Sequence, residues 1–151
     1  MKSIISKTFA LVAIAATLLS FNTNFGGEGF TISLNGKVVL QQFGKDMDVV
    51  KPLQLQSASA DDKLNIQYYH CGRVGKNRIV YIKDVQDKLV KRFWFRDAPT
   101  AMSDMSCAVQ DILSLKKGNN SVLKLYYSSS ELPNGRQLAT IYLERGHKVQ
   151  P

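Results

Sequence analysis

The sequence predicts an all-β fold, an antiparallel two-sheet β-sandwich of immunoglobulin-like or jelly-roll style. Three observations carry this expectation. About nine short runs either alternate apolar with polar residues or concentrate β-branched and aromatic ones, as strands do. Turn signals recur at intervals of about ten residues, the spacing of sandwich loops. The chain lacks the helix–strand alternation of a parallel sheet, and at most one short helical element, near 104–116, is expected. Strand order is not readable from one sequence, and a curled barrel is the rival closure.

The first two strands are FTISL, 30–34, and KVVLQQF, 37–43. Asn35-Gly36 joins them, and both residues tolerate the positive φ that a tight hairpin turn requires. A two-residue loop sets Ser33 opposite Val38 and Ile32 opposite Val39, with Phe30, Ile32, Leu34, Val39 and Phe43 on the core side. A turn and a half-buried strand follow, Leu53 and Leu55 alternating with Gln54 and Gln56; Pro52 belongs at a strand start or edge. In 64–71, Leu64, Ile66, Tyr68 and His70 share one face and Asn65, Gln67, Tyr69 and Cys71 the other. GRVGKN, 72–77, reads as a hairpin turn.

RIVYIK, 78–83, is apolar on both faces and reads as a central strand. In KLVKRFWFR, 88–96, Leu89, Phe93 and Phe95 line one face, and Val90, Arg92, Trp94 and Arg96 the other. Residues 97–117 admit two readings: a helix, or a strand over 105–110 followed by one helical turn, which suits the neighbouring strands better. SVLKLYYSS, 121–129, and QLATIYLER, 137–145, close the domain across a turn-rich connection containing Pro133-Asn134-Gly135.

The N-terminus carries an address. Lys2 and Lys7 flank the start of an apolar run, Phe9 to Leu19, of signal-peptide length and too short to span a bilayer. The expected organisation is a signal peptide over 1–21 (cleavage between 20 and 27), a flexible lead-in over 22–29, one sandwich domain over 30–145 and a polar tail over 146–151. Lys2 and Lys7 leave with the peptide and no acidic residue does, so the net charge of +8 becomes +6. The product is expected to be exported, periplasmic or extracellular, with no membrane insertion after processing. In an oxidising compartment, Cys71 and Cys107 are most simply a disulfide, worth roughly 4 kcal/mol by loop-closure entropy.

Chemistry is sparse. The two histidines, His70 and His147, match no metal-ligand spacing, and no metal or cofactor is expected. Paired aspartates at 46/48, 61/62 and 84/87 read as solvated turn acids rather than a calcium loop. No GxSxG elbow or phosphate-cradling loop occurs, and an enzyme is not expected. The richest stretch is basic and aromatic. Between Arg73 and Arg96 eight basic residues face two acids. Tyr81, Arg92, Trp94 and Arg96 are the candidate ligand-binding residues: an exposed indole stacks on a sugar ring while guanidinium groups pair with anions. The competing reading places Trp94 in the core with arginine stems packed around it.

These features favour an exported, non-catalytic module that mediates protein–protein binding or self-association. One alternative is a carbohydrate-binding domain using the basic-aromatic face, with an acidic polysaccharide as ligand. Another is a hydrolase with a non-standard site near His70. Nucleic acid is not expected outside the cytoplasm.

Overall fold

The computed structural model describes residues 27–118 and 120–144. The segments read as signal peptide and polar tail, and most of that read as lead-in, lie outside the described residues. Among the described residues nine strands form two sheets. They are β1 (Glu28–Leu34), β2 (Lys37–Phe43), β3 (Lys51–Gln54), β4 (Lys63–His70), β5 (Arg78–Lys83), β6 (Leu89–Phe95), β7 (Met105–Ala108), β8 (Val122–Ser129) and β9 (Leu132–Tyr142). The first sheet has the order β2-β1-β4-β7 and the second β3-β9-β8-β5-β6. A short helix, α1 (Val109–Leu113), follows β7 directly, and a 3-10 turn spans Gly44–Asp48. β1 begins at Glu28, within the stretch read as lead-in.

Alternation builds the core. Phe30, Ile32, Leu64 and Ile66 from the first sheet meet Val80, Ile82, Leu125 and Ile141 from the second, all essentially excluded from water. Each such side chain contributes about 1.5–3 kcal/mol over its exposed state. Val109 and Ile112, one helical turn apart, seat α1 on the same core. No helix among the described residues is long and apolar enough to cross a membrane.

Several local expectations are corrected. The pairing is not wholly antiparallel, because β3 runs parallel to β9 at the sheet edge. In the first hairpin Asn35 and Gly36 do take positive φ, 50° and 82°. Ser33 pairs with Val38, but Ile32 pairs with Leu40 across a bulge at Val39. That one-residue slip turns Leu40 and Gln42 inward and leaves Val38 and Val39 exposed. Inward-facing Gln42 is satisfied by the carbonyls of Asp46 and Val49. GRVGKN is not a hairpin turn, since β4 and β5 belong to different sheets. A tight turn at Cys71-Gly72, closed by Arg73 N donating to His70 O at 3.1 Å, starts the crossing between them.

The connection 130–136 is largely strand. Only Ser130-Glu131 turn, with Ser129 paired to Leu132. The next pair is Tyr127 with Arg136, so Pro133-Asn134-Gly135 bulge opposite Ser128. A further bulge, at Val90, pairs Ile82 with Lys91 and Lys83 with Leu89. It sends Val90 to the core side and Leu89 outward, reversing the face expected for Leu89.

The expected disulfide is absent; both cysteines are free, Cys107 buried and Cys71 exposed. β7 does adjoin β4, but Cys107 pairs with Leu64, at the opposite end of β4 from Cys71. Seven residues at about 3.3 Å each separate the two by roughly 20 Å, far beyond bridging range. Burial, and then Asp111, pushes the Cys107 thiol up to about 12, so it is an inert core group.

Candidate functional site

β8 has two faces, and each faces a candidate site. Its outward residues, Lys124, Tyr126 and Ser128, belong to the open face of the second sheet. Its inward residues, Tyr127 and Ser129, lie between the sheets.

On the outer face the strand register assembles three rows. Trp94, Ile79 and Ser128 form the first, Arg92, Tyr81 and Tyr126 the second, and Leu89, Lys83 and Lys124 the third. All of these except Tyr126 and Lys124 line, together with Pro133, a concavity of about 410 Å³. Trp94 stands 69% exposed at its margin. The Tyr81 and Tyr126 rings stack, with centroids 5.1 Å apart and planes 13° apart. Lys83 Nζ lies 4.8 Å from the Tyr126 centroid and 5.9 Å from that of Tyr81, a cation over a paired aromatic floor. Gly135, at φ +69°, admits this arrangement, because a Cβ there would collide with the Tyr81 hydroxyl. Burial, then the Tyr126 phenol, raises the Tyr81 pKa, so Tyr81 is a neutral hydrogen-bond donor at pH 7. The structure thus brings Tyr81, Arg92 and Trp94 around one concavity. Arg96 lies past the end of β6 and outside it. Lys83 and Ser128 join the site, with Tyr126 stacked on Tyr81 beside it, from strands whose adjacency the sequence did not reveal.

The inner site centres on His70, 3% exposed at the end of β4. Its Nε2 lies 3.0 Å from Tyr127 Oη and 3.3 Å from Ser129 Oγ. Tyr127 is fully buried and Ser129 5% exposed. The Tyr68 ring stacks on Tyr127 at 4.5 Å, and its hydroxyl donates to Glu28 Oε1 at 2.5 Å. Glu28 in turn pairs with Arg136 at 3.3 Å. Ser129 also engages the Glu131 carboxylate, which accepts the Lys76 amide at 2.9 Å. The polar seam therefore crosses the sandwich from β1 to the β8–β9 turn.

This cluster corrects the expectation that the chain is not an enzyme. A buried histidine within hydrogen-bond reach of a serine and a tyrosine resembles a catalytic triad, and 59 residues separate the serine from the histidine in sequence. It differs from a hydrolytic triad in two respects: both hydroxyls converge on Nε2, whereas a triad engages the two ring nitrogens separately, and a tyrosine stands where a triad has its carboxylate. Among the described residues no cluster of His, Cys, Asp and Glu is placed to hold a metal ion. The chain matches no known family model, and no curated protein shows significant similarity to it.

Burial lowers the His70 pKa below its ordinary 6.5, outweighing the opposing pull of Glu131 and Glu28; Arg73 lowers it further. The unfolded chain therefore takes up the His70 proton first as pH falls. The stabilisation is complete above pH 6.5 and is lost as pH drops below that value toward the folded pKa. Thermal unfolding of the intact domain is expected to move to lower temperature between about pH 7 and pH 5. In His70→Gln that slope flattens, whereas an unchanged slope would place the acid sensitivity elsewhere. His70→Ala, which leaves the Tyr127 hydroxyl short of a partner, costs about 1–3 kcal/mol at pH 7.

Proposed function

We propose that the protein is an exported carbohydrate-binding module whose outer β5–β6–β8 face is the ligand surface. The observation that carries this reading is the exposed Trp94 at the margin of a concavity lined by Tyr81 and Arg92. An indole offered to water on a rigid strand is a flat apolar platform. The C–H face of a pyranose ring covers such a platform, while its hydroxyls take hydrogen bonds from Arg92, Tyr81 and Ser128. The expectation of a module built mainly for protein docking is less well supported, since a flat docking patch gives no reason for this concavity. In binding measurements against neutral and acidic polysaccharides, Trp94→Ala is expected to raise Kd by about tenfold to a hundredfold. The variant is first matched to the parent in thermal stability. Equal affinity of the two proteins, or no binding by either, would contradict the reading.

The contact between Ser129 and His70 favours a second reading, a hydrolase of the serine type. His70 Nε2 would accept the Ser129 proton as Ser129 Oγ attacks an ester carbonyl and return it to the departing alkoxide, releasing the alcohol and leaving an acyl-Ser129 that water hydrolyses by the same exchange. Both groups are buried, so the Ser130-Glu131 turn must open to admit substrate. A fluorophosphonate reagent is expected to form a single covalent adduct that Ser129→Ala abolishes. Absence of an adduct under conditions that label ordinary serine hydrolases would remove this reading.

A further inference from the structure

The outer concavity carries a charge pattern that a neutral sugar does not use. Its lining contains two cations, Arg92 and Lys83, and no acidic residue. Arg92 lies directly across from Tyr81 on the neighbouring strand, and Lys83 lies one inward-facing residue beyond Tyr81 on its own strand. The Tyr81 ring is therefore bordered by a cation on two sides. The ion pairs among the described residues involve Lys91, Lys116, Lys124 and Arg136, and neither Arg92 nor Lys83. In the adjoining turn Asp87 is paired with Lys124 at 2.7 Å, and Lys83 adds only a weaker electrostatic pull on it. Arg92 is exposed, and its guanidinium offers a planar fork suited to two oxygens of one anion.

We propose that the ligand is an anionic polysaccharide whose acid group is seated between Arg92 and Lys83, beside the Tyr81 hydroxyl, while an adjacent ring stacks on Trp94. This deepens the glycan reading above and rests on it. The acid is a carboxylate or a sulfate borne on a sugar ring. Trp94 and Arg92 are alternate residues of β6, so platform and anion seat stand about 6–7 Å apart along the strand. That spacing suits neighbouring groups on one polymer. A phosphate backbone would meet the cations equally well, but a single exposed indole beside two cations is a short platform for successive bases.

The test uses the intact protein and four probes: polygalacturonate, its methyl-esterified neutral form, a sulfated dextran and single-stranded DNA. Arg92→Gln and Lys83→Gln are each expected to weaken binding to polygalacturonate or to sulfated dextran by about tenfold. Each should also lower the slope of log affinity against log salt by about one, because each cation that neutralises a polymer charge releases one counterion. Arg92→Lys keeps the slope but loses affinity for the polyuronate if the fork matters. Of the two acidic polymers, the one that binds more tightly identifies the acid group. The esterified polymer is expected to bind weakly, with Trp94→Ala abolishing what remains.

Unchanged affinity and slope in both glutamine variants would overturn the anion seat, even where Trp94→Ala abolishes binding and the stacking reading survives. The reverse outcome, with charge variants effective and Trp94→Ala neutral, would retain the seat and remove the stacking platform. Tighter binding of DNA than of either glycan would overturn the ligand class, and no binding to any probe would overturn both proposals.

Discussion

Everything described here depends on the alternation of side chains along β8 and β5. Burial fixes that alternation. Leu123, Leu125 and Tyr127 on β8, with Val80 and Ile82 on β5, are excluded from water, so neither strand can slip by one residue without exposing its apolar set. The residues between them are committed to the outside. Tyr81, Lys83, Tyr126 and Ser128 are thus set on the open face by their neighbours' burial rather than by any interaction of their own. The concavity inherits its rigidity from the core beneath it.

The same constraint separates the two candidate sites. Ser128 lines the outer concavity and Ser129 touches His70, so the two sites stand back to back across a single strand. A ligand on the outer face does not meet the imidazole. The bulges add what alternation alone cannot. The one at Val90 delivers Leu89 to the outer face, and the one at Pro133–Gly135 walls the concavity and clears room for Tyr81. Both lie beside the candidate ligand face, where bulges commonly re-aim side chains.

Much of this was legible from local pattern. Asn35-Gly36 announced its turn by chemistry, and β4 announced its inward face by strict alternation of Leu64, Ile66, Tyr68 and His70. The strand and single helical turn expected within 105–115 are present, but the strand ends at Ala108 and the helix takes Val109–Leu113, because Val109 and Ile112 both seat on the core. What failed was set by partners distant in sequence. The bulge at Val39 arises from pairing, and Leu40 rather than Val39 fills the core as a result. The disulfide expectation failed because spacing along the chain says nothing of the end of β4 at which each cysteine lies. The arrival of Lys83 and Tyr126 beside Arg92 requires the strand order β8-β5-β6, and the His70–Ser129 contact requires β4 of one sheet to end against β8 of the other; no local signal encodes either.

On the proposed function, ligand is taken by the outer face of the second sheet and not by the buried seam beneath it. Chemical-shift mapping of the labelled protein during titration with an acidic oligosaccharide tests this most directly. The account predicts the largest changes at the Trp94 indole, Arg92, Tyr81 and Lys83, with His70 and Ser129 nearly unmoved. Largest changes at His70, Tyr127 and Ser129 would contradict it and move the functional centre to the space between the sheets.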